Sequence, residues 1–163
     1  MLDDEDQLPL DAGPEVEALL RAAGEAWHAE ATAEGLVLDA LALAPDSLRT
    51  RVAAYKFYFY RHRLEEALPH ALACVDFAAM RLGIARDWRA VEAADAPFSA
   101  LIPVPKLWMQ ALMAYAYLLA RLGRLDEARA ALSKVARLDQ QGRLGAARLM
   151  AVIDRGGIDD EED

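Results

Sequence analysis

Residue types that build disulfide-bonded and zinc-binding proteins are scarce in this chain of 163 residues. The single cysteine, Cys74, excludes an intramolecular disulfide framework and any cysteine-rich zinc module. Asparagine is absent, so the chain has no acceptor for N-linked glycosylation. Only three histidines and three lysines occur, against 15 arginines.

Long hydrophobic runs are also missing. The longest, from Ala111 to Ala120, has ten residues, whereas a membrane-spanning helix needs about 20. The first residues are acidic, which is the opposite of the basic start of a secretory signal. We therefore expect a cytoplasmic protein with no membrane partner.

The net charge of −9 comes from the two ends of the chain. Residues 1–11 and 159–163 each carry five acidic residues and no base, which leaves 17 acidic and 18 basic residues between them. Because this body has only one more basic than acidic residue and the acidic ends would repel phosphate, nucleic acid is not an expected partner.

The composition and the spacing of apolar residues favour helices. Alanine supplies 35 residues and has the highest helix propensity, while no stretch alternates with the period of a strand. Apolar residues recur at intervals of three and four in 107–122, and Gly123 then predicts the end of that helix. A second amphipathic helix follows from Leu125 to Leu138. The alanine excess and the preference for arginine over lysine indicate a GC-rich bacterial genome.

This unit of helix, glycine turn and helix resembles a tetratricopeptide repeat (TPR). On a register that starts at Met109, the matching positions are Leu112, Tyr115, Ala116, Leu119, Gly123, Ala128, Leu132 and Val135. A second copy starts at Leu48, with His62 in place of the turn glycine and with Ala54, Tyr55, Tyr58, Ala67, Ala71 and Cys74 at the helix contacts. A third copy, over 14–47, has Ala33, Val37 and Ala40 at the expected positions.

The resemblance implies an all-α fold, a short right-handed solenoid of antiparallel helix pairs with a C-terminal capping helix. The expected organisation is an acidic N-terminal tail (1–13), a single helical domain (14–155) and an acidic C-terminal tail (156–163). Within the domain we expect repeats at about 14–47, 48–81 and 109–142, an insertion at 82–108 and the capping helix at 143–155.

The insertion and the cap carry further local signals. Asp87 is placed to cap a short helix that reaches about Ala94 and carries Trp88 and Val91 inward. The segment 103–105, Pro-Val-Pro, predicts an extended approach to the last repeat. In the cap, an amphipathic helix is expected to cover the last repeat with Leu144, Ala147, Leu149 and Val152.

Catalytic and metal-binding patterns are weak, so we predict no enzyme, no metal and no cofactor. His70 and Cys74 are four residues apart and share a helix face, but neither further metal ligands nor a third catalytic group accompany them. Cys74 is expected to be a buried packing residue. His62, Glu66 and His70 are spaced by four, but Pro69 is expected to interrupt the helix between them.

The resemblance also implies a function, because the first helices of successive TPR units line a groove that binds peptides or protein segments. Carried over by register, the groove residues are Arg49, Val52, Lys56, Phe59, Tyr60, Gln110, Met113, Tyr117 and Arg121. Aromatic and arginine side chains are frequent in binding hot spots, and methionine adapts to varied partners. The bases Arg49, Lys56 and Arg121 suit a carboxylate or an acidic segment. We expect a non-catalytic adaptor, assembly factor or chaperone-like protein with a protein or peptide partner.

Three alternatives remain open. An accessory subunit or a homodimer would use the apolar insertion 82–108 as its interface, with Trp88 and Phe98 at its centre. A small helical enzyme would need a pocket around Glu66 and His70. The acidic residues 159–163 would fold back onto the basic groove in a self-inhibited chain.

Overall fold

The structure is a computed structural model that describes residues 12–156. Seven α-helices and three short 3₁₀ turns make up this part of the chain, with no strand among the described residues. The helices are α1 (Pro14–Glu25), α2 (Glu30–Leu43), α3 (Leu48–Tyr60), α4 (Leu64–Leu82), α5 (Pro103–Arg121), α6 (Leu125–Leu138) and α7 (Ala146–Asp154). The all-α prediction is confirmed.

The helices follow one another in space as they do in sequence. Each packs against the next, from α1 through α7, and the turns within the pairs α1–α2, α3–α4 and α5–α6 have three or four residues. Turns this short make the two helices of a pair antiparallel neighbours. The tails before residue 12 and after residue 156 lie outside the described residues, as does the hypothesis that 159–163 occupies a groove.

The turns of the second and third helix pairs have the same backbone geometry. His62 and Gly123 both have positive φ, 59° and 82°. The amide of Arg63 donates to the Tyr58 carbonyl (2.9 Å), and the amide of Arg124 donates to the Leu119 carbonyl (2.8 Å). His62 therefore occupies a left-handed position that its counterpart fills with glycine.

The core contains the side chains that the repeat spacing predicts as helix contacts. Tyr55, Tyr58, Tyr115 and Leu119 are buried. The small residues at the close crossings are also buried, namely Ala33, Ala40, Ala54, Ala67, Ala71, Ala116 and Ala128. Alanine at these positions brings helix backbones close together, which explains how a chain so rich in alanine builds a core.

Two predictions about prolines are wrong. Pro103 occupies the first turn of α5, so the expected extended segment 103–105 is helical. The first turn of a helix leaves its amides without internal acceptors, so a missing N–H costs little there. Pro69 lies inside α4 and does not interrupt it.

The side chain of Lys134 on α6 forms hydrogen bonds to the insertion 82–108. Asp87 caps a 3₁₀ turn, Trp88–Ala90, which is shorter than the predicted helix, and Trp88 and Val91 are buried as expected. Lys134 is 4% exposed, and its Nζ donates to the carbonyls of Arg89 (3.1 Å) and Val91 (2.6 Å). These two bonds satisfy backbone acceptors that the 3₁₀ turns leave unpaired.

The capping helix α7 packs on α6 with most of the predicted residues. Leu144 and Leu149 pack against the core and Val152 is half-buried, whereas Ala147 is exposed. Leu144 precedes the helix, which begins after Gly145, and Ala146 and Ile153 are its buried residues.

Candidate functional site

Two half-buried aromatic side chains, Phe59 of α3 and Tyr117 of α5, meet near the surface of the protein. The ring centroids of Phe59 and Tyr117 are 6.0 Å apart, and Phe59 also contacts Tyr60 edge to face at 5.4 Å. Beneath them, buried Tyr55 stacks on Phe59 at 5.5 Å. We call Phe59, Tyr60, Tyr117 and Arg121 the aromatic surface.

Arg121 adds a positive charge to this surface. Its Nη1 donates to the Tyr117 hydroxyl (2.8 Å), and its guanidinium carbon lies 5.7 Å from the centre of that ring. Arg121 is exposed and Tyr60 is 59% exposed. The hydrogen bond orients the guanidinium while leaving its other N–H groups to face solvent, where a carboxylate can bind them.

Two other predicted groove residues lie on the same helices. Lys56 is one turn before Tyr60 on α3, and Gln110 is two turns before Tyr117 on α5; both are half-buried. Helical spacing therefore extends the aromatic surface along α3 and α5 toward these polar side chains.

The other three predicted groove residues do not offer an open surface. Val52 is 3% exposed and Met113 is 5% exposed, so both belong to the core and the prediction that they line a groove is wrong. Arg49 is half-buried, and its Nε lies 3.0 Å from a carboxylate oxygen of Glu17 on α1. Its charge holds two helices together and is already neutralised within the protein.

Cys74 has the structural role that the sequence predicts. It is a free, fully buried thiol, and burial raises its pKa to about 12. The thiolate that nucleophilic catalysis or metal binding requires is therefore strongly disfavoured at neutral pH.

His70 is held neutral by its surroundings. Its ring stacks on Tyr58 with centroids 5.7 Å apart, and Nδ1 lies 3.2 Å from Nη1 of Arg51. Burial, followed by the Arg51 charge, lowers the His70 pKa to about 4. Because an arginine can only donate, Nδ1 accepts and the proton of the neutral ring is on Nε2.

Neither a metal-binding cluster nor a membrane-spanning helix occurs within residues 12–156. In that range, no three or more histidine, cysteine, aspartate or glutamate side chains are arranged to hold a metal ion. No helix in the same range has the length and apolar character needed to cross a bilayer.

Sequence reasoning missed an ion-pair network at the turns. Arg63 contacts the carboxylates of Glu30 (3.2 Å), Glu34 (2.8 Å) and Glu66 (2.7 Å), while the Tyr58 hydroxyl donates to Glu34 (2.7 Å). The Arg63 and Tyr58 hydrogen bonds lower the pKa of Glu34. One signal was available, because Arg63 and Arg124 hold equivalent positions in the two repeats.

The aromatic side chains of the insertion 82–108 are not exposed as an interface would require. Trp88 is 4% exposed and Phe98 is 2% exposed, with the Phe98 ring 5.4 Å from that of Trp108 on α5. The two aromatic side chains at the centre of the proposed interface are therefore core residues of this chain.

Comparison with known proteins identifies a bacterial relative. A protein of Azotobacter chroococcum mcd 1, described as "Uncharacterized 19.8 kDa protein in nifW 5'region", is 39% identical over 142 residues, which span 86% of this chain and 78% of the relative. The chain belongs to the same family as that protein. No family model matches the chain, and no solved structure matches it significantly.

Proposed function

We propose that this chain, as a member of that family, is a non-catalytic protein-binding module. Its three helix pairs form a short right-handed TPR-like solenoid, and its aromatic surface binds an acidic segment of another polypeptide. The protein acts as an adaptor, an assembly factor or a chaperone-like protein.

Contacts between alternate helices support the solenoid. Side chains link the first helices of successive pairs, since Arg49 of α3 pairs with Glu17 of α1 and Phe59 of α3 contacts Tyr117 of α5. The second helices are linked in the same way. Arg63, which precedes α4, pairs with Glu34 of α2, and Arg124, which precedes α6, lies 2.9 Å from Glu65 of α4. Links between alternate helices, together with the shared geometry of the α3–α4 and α5–α6 turns, support the proposed TPR-like array.

The aromatic surface is the observation that carries the functional proposal. Tyr60 is exposed although it contacts Phe59, and this ring pair continues across the repeat boundary to Tyr117 and Arg121. Tyrosine and arginine dominate binding hot spots because each combines a large contact area with directed hydrogen bonds. Arg121 favours a partner with carboxylates beside its apolar side chains.

A peptide-display selection tests this function without requiring the identity of the partner. A random peptide library is selected on the full chain, and the affinities of enriched peptides are measured by fluorescence polarisation. We expect acidic peptides with at least one apolar anchor. Tyr60→Ser and Tyr117→Ser should each weaken their binding at least tenfold, and Arg121→Gln should weaken acidic peptides most.

Leu38→Ser is the matched control, because Leu38 is 47% exposed but lies on α2. This variant should bind the selected peptides as the wild type does. The proposal is contradicted if no peptide is enriched, or if peptides bind the Tyr60, Tyr117 and Leu38 variants equally well.

A further inference from the structure

A cleft lies between the α2–α3 turn and α4. This cleft has a volume of about 530 Å³, within the usual range for small-molecule sites. It shares no residue with the aromatic surface, so its role is independent of the proposed protein-binding function. Half of the residues that line its wall are polar or charged, and the other half are apolar.

Arg51 is a preoriented cation in the wall. Its Nε donates to the Pro45 carbonyl (2.9 Å), and its Nη1 donates to His70 Nδ1 (3.2 Å). The His70 ring in turn stacks on the Tyr58 ring. Within residues 12–156, no carboxylate lies within ion-pair distance of Arg51. Its guanidinium is therefore held in place by neutral acceptors and keeps its charge available to a ligand in the cleft.

The acidic groups of the wall are of two kinds. Asp76 lies 3.4 Å from Arg86, also in the wall, so these two charges offset each other. Asp46 is exposed, and the described part of the chain supplies it with no ion pair. The cleft thus presents one unpaired positive group, Arg51, and one unpaired negative group, Asp46.

The apolar half of the wall comes from one side of α4 and the segment after it. Phe77 and Ile84 are half-buried, and Met80 is 72% exposed, which is the highest exposure among the large apolar side chains of the described residues. A methionine in this position is adaptable and can fold over an apolar group.

We propose that this cleft binds a small zwitterion with an apolar body, namely an apolar α-amino acid or a dipeptide of such residues. Arg51 binds the carboxylate, Asp46 binds the ammonium group, and Phe77, Met80 and Ile84 enclose the side chain. A simple fatty acid would place its carboxylate near Asp46 and Asp76, and a simple amine would place its charge near Arg51 and Arg86. A ligand that carries both charges satisfies both unpaired groups.

Calorimetric titration of the full chain with phenylalanine, leucine and the dipeptide Leu-Leu tests the proposal. We expect saturable binding of at least one of them, and the comparison between them identifies the preferred length. N-acetylphenylalanine and phenylalaninamide each lack one charge and should bind at least tenfold more weakly than phenylalanine if the amino acid is preferred; acetylated and amidated Leu-Leu replace them if the dipeptide is preferred.

Asp46→Asn is the decisive variant, because Asp46 is exposed and we expect its replacement to leave the fold unchanged. It should weaken binding at least tenfold, as should Arg51→Gln, while Arg137→Gln on α6 should have no effect. The proposal is overturned if none of the three compounds binds saturably, if the blocked compounds bind as well as the parent, or if Asp46→Asn binds normally.

Discussion

Exchanging the residues of two equivalent turns tests whether those turns are energetically equivalent. His62 and Gly123 both have positive φ. A residue with a Cβ pays roughly 1–2 kcal/mol in this conformation, and glycine loses about 0.5–1 kcal/mol through its greater freedom in the unfolded chain. His62→Gly should therefore stabilise the protein by about 0.5–1 kcal/mol, and Gly123→His should destabilise it by about the same amount.

Steric clashes do not complicate the exchange, since a Cβ at Gly123 meets no atom within 4 Å and His62 is exposed. Thermal and urea unfolding measure the effects, and 1 kcal/mol corresponds to about 2–4 °C in Tm for a chain of this size. The double variant should return close to the wild-type Tm, because the two turns are separate and their effects add. A His62→Gly variant that is less stable than the wild type would refute the reasoning.

Two further predictions concern buried polar groups. Lys134→Met removes both hydrogen bonds to the insertion and should lower the free energy of unfolding by about 2 kcal/mol. The control is Arg137→Met, at an exposed position of the same helix. An equal loss of stability in both variants would contradict the role of Lys134 in holding the insertion. The second concerns His70, which binds its proton only near pH 4 when folded, whereas the unfolded chain binds it below about pH 6.5. Stability is therefore lost as pH falls from about 6.5 to 4, by about 1–2 kcal/mol after allowance for solvent screening of this half-exposed ring. Urea unfolding across this range should show a weaker pH dependence for His70→Gln than for the wild type; the same dependence in both proteins would contradict the assignment.

Local signals are sufficient to predict the helices and much of the core. Apolar spacing predicts the pairing of helices, and Gly123 marks the end of α5 because a left-handed residue closes a helix. The small residues of the close crossings follow from the repeat register, and Cys74 is among them. These features depend on neighbours three or four residues away, so the sequence alone reveals them.

Features that depend on distant residues could not be predicted. Val52 and Met113 lie on the helix faces that the repeat register assigns to the groove, but neighbouring helices bury them. The repeat register alone does not predict this burial. The sequence presents Arg49 as a free cation because Glu17, its partner, lies 32 residues away. The extended segment predicted at 103–105 is a different case, because the local preference for proline at the first helical position was available to predict the helix start at Pro103.

Site-specific photo-crosslinking in the cells that produce the chain tests the central claim most directly. A photoreactive phenylalanine replaces either Tyr60 on α3 or Leu38 on α2, two positions of similar exposure. The account predicts a covalent adduct with another polypeptide from position 60 and none from position 38. Adducts from both positions alike, or from position 38 alone, would contradict it.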